Sequence, residues 1–156
     1  MKVLFLDVDG VLNKANTKEK TATGCSFVED IFVRRLKNIV DQTGCEIVLS
    51  SDWRYDAHTE LNPELDELED KLSKYGLALY DFTPVINNHR GQEIQSWLDA
   101  HTDVGSFVIL DDRDDMEPNM ERLVRTLFSH GLTEENKRET IKMFSQGKTL
   151  SGVMGK

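Results

Sequence analysis

At 156 residues the chain fits one domain, and a domain of that size buries roughly two thirds of the surface its unfolded chain exposes, so its core needs no staples. Apolar residues make up 38% and charged residues 30%, a soluble globular composition, and no apolar run nears the roughly 18 residues of a membrane span. A net charge of −9 disfavours a broad basic face for nucleic-acid backbones, although a local cation suffices to hold a single phosphate.

Val3-Leu4-Phe5-Leu6 is a short apolar run of the kind buried on both faces of a parallel sheet, and it ends at Asp7. Acids this close to the N-terminus are unlike an export signal, so Cys25 and Cys45 are expected as reduced thiols of a cytoplasmic protein. Gly10 breaks the run, and the polar stretch from Asn13 to Gly24 reads as a loop or small hairpin. Phe32, Leu36, Ile39 and Val40 recur at helical spacing over Asp30–Thr43, with Gly44 placed to end the helix. Glu46–Leu49 is the second strand, followed by Ser50 and Ser51. Asn62-Pro63-Glu64 combines a capping residue, a first-turn proline and an acid, and so opens a helix with Leu65, Leu68, Leu72 and Tyr75 on one face.

Leu77–Phe82 reads as a third strand, and Arg90–His101 as a helix with Ile94, Trp97 and Leu98 on one side. Ser106–Leu110 is the clearest strand and runs into Asp111-Asp112. A short helix at Met116–Arg122, a strand at Val124–Phe128 and a helix opened by Thr133 complete the order. One domain is expected over residues 1–146, with a small flap at 14–29 and a frayed tail at 147–156. Strands alternating with helices predict the α/β class: a three-layer, Rossmann-like parallel sheet of about five strands, with helices on both faces.

In such sheets the site lies beyond the carboxyl ends of the strands. Three of the strands end there in polar clusters: Asp7 and Asp9, Ser50 and Ser51, Asp111 and Asp112. Asp7 and Asp9, separated by one residue before the turn at Gly10, are placed to face one substrate atom. Two carboxylates held close repel, so one tends to keep a proton, which suits one for attack on phosphorus and the other for protonating the leaving group. A cap on the next helix would explain one acid after the fourth strand. The run Asp111, Asp112, Asp114, Asp115 repels itself and points instead to a hard cation such as Mg2+. The Ser50 hydroxyl, with nearby backbone amides, suits a phosphoryl oxygen, although a strand-end Ser by itself is more often a turn former, and Arg90 suits a fixed cation for the transition state or, alternatively, a solvated arginine. Arg54 is a second candidate cation. Trp53 beside it suits packing better than stacking on a base. His58, His89, His101 and His130 are scattered without ligand spacing and read as surface or packing residues.

Together these residues resemble the haloacid dehalogenase (HAD) superfamily of phosphohydrolases. Asp7-Val8-Asp9-Gly10-Val11-Leu12 is similar to its first motif, Ser50 after Ile47-Val48-Leu49 to the second, Arg90 to the basic third and Asp111-Asp112 to the acidic fourth. The similarity spans about residues 1 to 130. Within the superfamily, Ser50-Ser51-Asp52-Trp53-Arg54, Arg90-Gly91-Gln92-Glu93-Ile94 and Val108-Ile109-Leu110-Asp111-Asp112 look most like the phosphatase-like domain of Swiss-army-knife RNA repair proteins. Asp52, where that pattern carries Ser, and Arg113 inside the acidic run are departures.

The resemblance implies a Mg2+-dependent phosphatase that forms an aspartyl-phosphate. Asp7 is then the nucleophile and a metal ligand. Asp9 is the general acid and base, and ligates metal through its backbone carbonyl. Ser50, Ser51, Arg54, Arg90 and Gly10 form the phosphate-binding set. Asp111 binds the metal, with Asp112 or Asp115 assisting. Both candidate cap positions are short, so no large cap is expected, and an open site suits a phosphorylated substrate on a large molecule, a nucleotide or a nucleic-acid end. The alternatives are a protein phosphatase, an idle module that binds phosphate or metal, and a receiver-like domain, whose nucleophile would sit on a middle strand.

Overall fold

The computed structural model describes residues 1–20, 27–54 and 63–146, with Arg54 through its backbone alone. The described elements run β1 (Lys2–Leu6), α1 (Asp30–Thr43), β2 (Glu46–Leu49), α2 (Pro63–Ser73), β3 (Leu79–Phe82), α3 (Arg90–Asp99), β4 (Ser106–Asp111), β5 (Leu123–Arg125) and α4 (Glu134–Ser145). All strand pairs are parallel, in the order β3-β2-β1-β4-β5. The strand order reverses between β1 and β4, the switch point at which sheets of this kind open a crevice.

The period-2 geometry of β1 explains the layers. Leu4 and Leu6 point to one face and join a core with residues of α1, α2 and α4, among them Phe32, Leu36, Leu68 and Phe144. Val3 and Phe5 point to the other and join Ile94 and Trp97 of α3 and Phe107 and Ile109 of β4. The strand is buried on both faces, which is why it reads as an unbroken apolar run. Phe5 meets Trp97 edge-on at 5.5 Å and Phe107 at 5.8 Å, so one aromatic trio seats α3 against the strands that carry Asp7 and Asp111.

The interior elements match the sequence reading, and the differences lie at the sheet edges. The third strand starts at Leu79, and the fifth is only Leu123–Arg125, one residue ahead of the expected Val124 start. The expected helix at Met116–Arg122 is a loop closed by a 3-10 turn at Met120–Arg122. Pro118 removes a donor there, and the remaining bonds span three residues: Asn119 N–H to Met116 O, then Arg122 N–H to Asn119 O. His89 is the N-cap of α3, its Nδ1 accepting the Gln92 N–H at 3.1 Å. The expected Asn62 cap, Cys25, His58, part of the flap and the tail fall outside the described residues. Cys45 is a free, buried thiol. Among the described residues no helix is long and apolar enough to cross a membrane.

Candidate active site

Strand register brings the site together. Leu6 pairs with Leu49 of β2 and with Leu110 of β4, so the next residue on each strand falls in one row: Ser50, Asp7, Asp111. The row is held by backbone bonds that extend the ladders, from Asp7 N–H to Leu110 O at 3.0 Å and from Ser50 N–H to Leu6 O at 2.9 Å. Three residues that are distant in the chain therefore share one edge of the sheet because their strands end level.

Oxygens of Asp7, Asp111 and Asp112 lie within 4.8 Å of one another. Asp7 and Asp111 are buried and Asp112 is half-buried. Burial, then the neighbouring Asp111, push the Asp7 carboxyl well above the ordinary carboxylate range, against the opposing pull of Arg90. Asp112 is raised by the same two causes. Three crowded acids, of which Asp7 and Asp112 are held above the ordinary carboxylate range, are a donor set short of positive charge. Hard carboxylate oxygens at this spacing fit a divalent cation of the Mg2+ type.

Arg90 supplies part of that charge. Its Nη1 donates to Asp111 Oδ2 at 2.7 Å and lies 3.6 Å from Asp7 Oδ1, while Nη2 donates to Asp52 Oδ1 at 3.3 Å. Nε sits 3.7 Å from the buried carboxylate of Glu93. Burial works against the guanidinium, yet Asp111 and Asp7 outweigh it and hold Arg90 protonated beyond its ordinary range. An arginine at the first position of a helix opposes the dipole, and these acids account for its presence there. Two contacts aim it. Gly91 N–H donates to Asp115 O at 2.9 Å, and a Cβ on Gly91 would collide with the backbone of Asp115 to Glu117, so α3 can approach that loop only with glycine there. Arg90 N–H also bonds Asp115 Oδ2 at 3.3 Å.

Asp115 is engaged elsewhere. Partial burial raises its carboxyl, but bonds from Arg113, at 2.9 Å to its Oδ1, and from the Arg90 backbone bring it below the ordinary range. Of the two acids expected to assist at the metal, Asp112 is the one in the cluster. Arg113, which departs from the family pattern, thus ties the acidic loop to itself and, through Asn88 O at 3.1 Å, to the turn before α3.

Gly10 takes φ +83°, and a Cβ there would run into the Asp112 carboxylate, so both backbone and space require glycine. Gly10 O accepts the Thr126 hydroxyl at 2.7 Å, and Thr126 N–H donates to Asp111 O at 3.0 Å. Thr126 thereby couples the loops that carry Asp9 and Asp112. Ser50 is fully buried, and its Oγ has no hydrogen-bond partner among the described residues. A buried hydroxyl beside Asp7 that has no partner among the described residues is costly unless a ligand oxygen meets it. The Ser51 Oγ accepts the Trp53 N–H at 3.1 Å.

Asp9 stands apart from the carboxylate cluster. Its side chain is exposed and accepts from Asn13 Nδ2 at 2.9 Å and from Trp53 Nε1 at 3.1 Å. Trp53 is buried in the core and so packs rather than stacking on a ligand. The Arg54 side chain lies outside the described part. Sequence reasoning missed Asn13, Asp52, Glu93 and Thr126. Glu93, a buried acid one helical turn after a motif arginine, carried a signal in the i, i+3 spacing. Asn13 acts within its own loop, on Gly10 and Asp9 three and four residues back, whereas Asp52 and Thr126 act through contacts that no local pattern encodes.

A family model described as HAD domain in Swiss Army Knife RNA repair proteins matches residues 3–137. No curated protein matches the sequence.

Proposed function

From the premise that the chain belongs to the HAD-domain family of Swiss Army Knife RNA repair proteins, we propose that it is a Mg2+-dependent phosphomonoesterase working through an aspartyl-phosphate on Asp7. The observation that carries the reading is the convergence of Asp7, Asp111 and Asp112 around one point, with the Arg90 guanidinium and the buried Ser50 hydroxyl beside them. Asp7, Asp111 and Asp112, with the Asp9 carbonyl, would hold the cation, which when bound offsets the negative charge of Asp7 and the phosphoryl oxygens.

The Asp7 carboxylate attacks phosphorus in line with the leaving oxygen. Asp9 gives its proton to that oxygen as the P–O bond breaks. It then takes a proton from the water that attacks the aspartyl-phosphate, which frees inorganic phosphate and restores Asp7. Arg90 and Ser50 hold the phosphoryl oxygens through both steps. Ser51 and Arg54 belong to the same proposed phosphate-binding set.

The substrate proposed is the phosphate at an RNA end. The family description points to RNA repair, and the segment from Thr83 to His89, between β3 and α3, is too short for a cap. An open site admits a phosphate on a large molecule. A Mg2+-dependent release of phosphate from p-nitrophenyl phosphate, abolished by EDTA and by Asp7→Asn, tests the chemistry. Phosphorylated oligoribonucleotides set against phosphopeptides test the substrate class. Undiminished turnover in Asp7→Asn refutes the mechanism.

A further inference from the structure

We propose that Trp53 is a positioning residue for Asp9, holding the carboxyl group that moves the proton; the inference rests on the phosphatase reading above. An exposed aspartate in a loop ordinarily samples several rotamers. Asp9 is denied that freedom. Its Oδ2 accepts from Trp53 Nε1 at 3.1 Å and its Oδ1 from Asn13 Nδ2 at 2.9 Å, so each carboxylate oxygen has its own donor.

Both donors are themselves fixed. Asn13 is buried, and its Oδ1 accepts the Gly10 N–H at 2.9 Å, which turns its amide nitrogen toward Asp9. Trp53 is only 6% exposed, packs in the core layer that holds α1, and is set at its backbone by the bond from its N–H to Ser51 Oγ at 3.1 Å. The clamp therefore joins the loop after β1, which carries Asp9, to the turn after β2, which follows Ser50. It spans 44 residues of chain.

Chemistry is compatible with the clamp. Each carboxyl oxygen offers two acceptor sites, and one N–H on each leaves the outer site open on a side chain that faces solvent. A proton held at that site passes to the leaving-group oxygen as the P–O bond breaks. The carboxylate left behind takes a proton from the attacking water. Indole and amide N–H groups exchange nothing in either step, so Trp53 and Asn13 act by orientation alone.

Trp53→Phe keeps an aromatic ring and removes the donor. The readout is a ratio of kcat/KM values, which reports the steps through phosphoryl transfer to Asp7 and leaves out the hydrolysis that both substrates share. One substrate is an alkyl phosphomonoester, a ribonucleoside 3′-phosphate, whose alkoxide leaving group needs a proton. The other is 2,4-dinitrophenyl phosphate, whose phenolate does not. Trp53→Phe is expected to lower the alkyl-to-aryl ratio by about tenfold or more, in the same direction as Asp9→Asn. Both rates come from the same folded fraction, so partial unfolding cancels in the ratio. An unchanged ratio in Trp53→Phe beside a depressed one in Asp9→Asn overturns the clamp and leaves the phosphatase reading standing. A wild type that hydrolyses only the aryl ester removes Asp9 from proton transfer, and the clamp with it. A wild type that turns over neither ester overturns the phosphatase reading itself.

Discussion

Replacing Arg90 by Met removes a guanidinium from among three buried acids, Asp7, Glu93 and Asp111, while keeping a side chain of similar length. Stripping one partner from a buried ion pair costs about 3–5 kcal/mol, because the acids are left uncompensated in a low-dielectric interior. The contact with Asp52 adds little, since that side chain is 56% exposed and an exposed pair is worth under about 1 kcal/mol. For a domain of this size the loss lowers Tm by about 6–20 °C. The pH dependence has a definite sign. The Asp7 carboxyl already lies well above the ordinary carboxylate range, and without Arg90 it rises further. A carboxyl whose folded pKa exceeds its unfolded value binds protons on folding. Its cost to stability is full above the folded pKa and vanishes as pH falls toward the unfolded value. The Arg90→Met deficit is therefore largest near neutral pH, shrinks in acid, and narrows with excess Mg2+, which would bring positive charge to the same carboxylates. Thermal melts by circular dichroism, in EDTA and in MgCl2 across a pH series, measure all three. A loss under about 1 kcal/mol at neutral pH in EDTA, or one that deepens in acid, refutes the reasoning.

Ser50→Ala removes a buried hydroxyl that has no partner among the described residues, so it is expected to leave Tm unchanged or raise it, by up to about 1–3 kcal/mol of stability, while it raises KM for a phosphoester; a melt paired with steady-state kinetics separates the two effects. Gly91→Ala drives a Cβ into the backbone of the Asp115–Glu117 loop, and forcing α3 off it costs about 1–3 kcal/mol and shifts Arg90; kcat is expected to fall along with Tm. Asp112→Asn relieves repulsion with Asp111, so it is expected to raise Tm in EDTA yet shrink the Tm gain on adding Mg2+, as read by melts at fixed pH.

The central strands and α1 were legible because each obeys one rule without conflict. β1 and β4 carry unbroken apolar runs, Val3 to Leu6 and Phe107 to Leu110, buried on both faces, and α1 buries Phe32, Val33, Leu36 and Ile39 along one stripe. Edge strands carry a weaker signal: β3 has one neighbour and exposes Tyr80, so its start is not marked by an apolar run. The loop at Met116–Pro118 reads as helix in isolation, but its backbone packs against Gly91, a contact made across the fold. At the site, Asp7, Ser50 and Asp111 stood out as polar residues at the ends of apolar strands. Nothing local distinguishes Asp112 from Asp115 as the partner of Asp111. That choice follows from Arg113, which binds Asp115, and from Gly10, whose missing Cβ makes room for the Asp112 carboxylate. The side-chain bonds from Trp53 to Asp9 and from Thr126 to Gly10 exist only once the loops are assembled.

The central claim is that phosphorus is bonded to residue 7 during turnover. Acid quenching the wild type in the presence of Mg2+ and a phosphomonoester, followed by borohydride reduction, converts an aspartyl-phosphate to homoserine, which peptide mass spectrometry locates. The account predicts homoserine at position 7, lost when substrate or metal is withheld. Steady phosphate release with an unmodified Asp7, or with the reduced residue at another carboxylate, contradicts it.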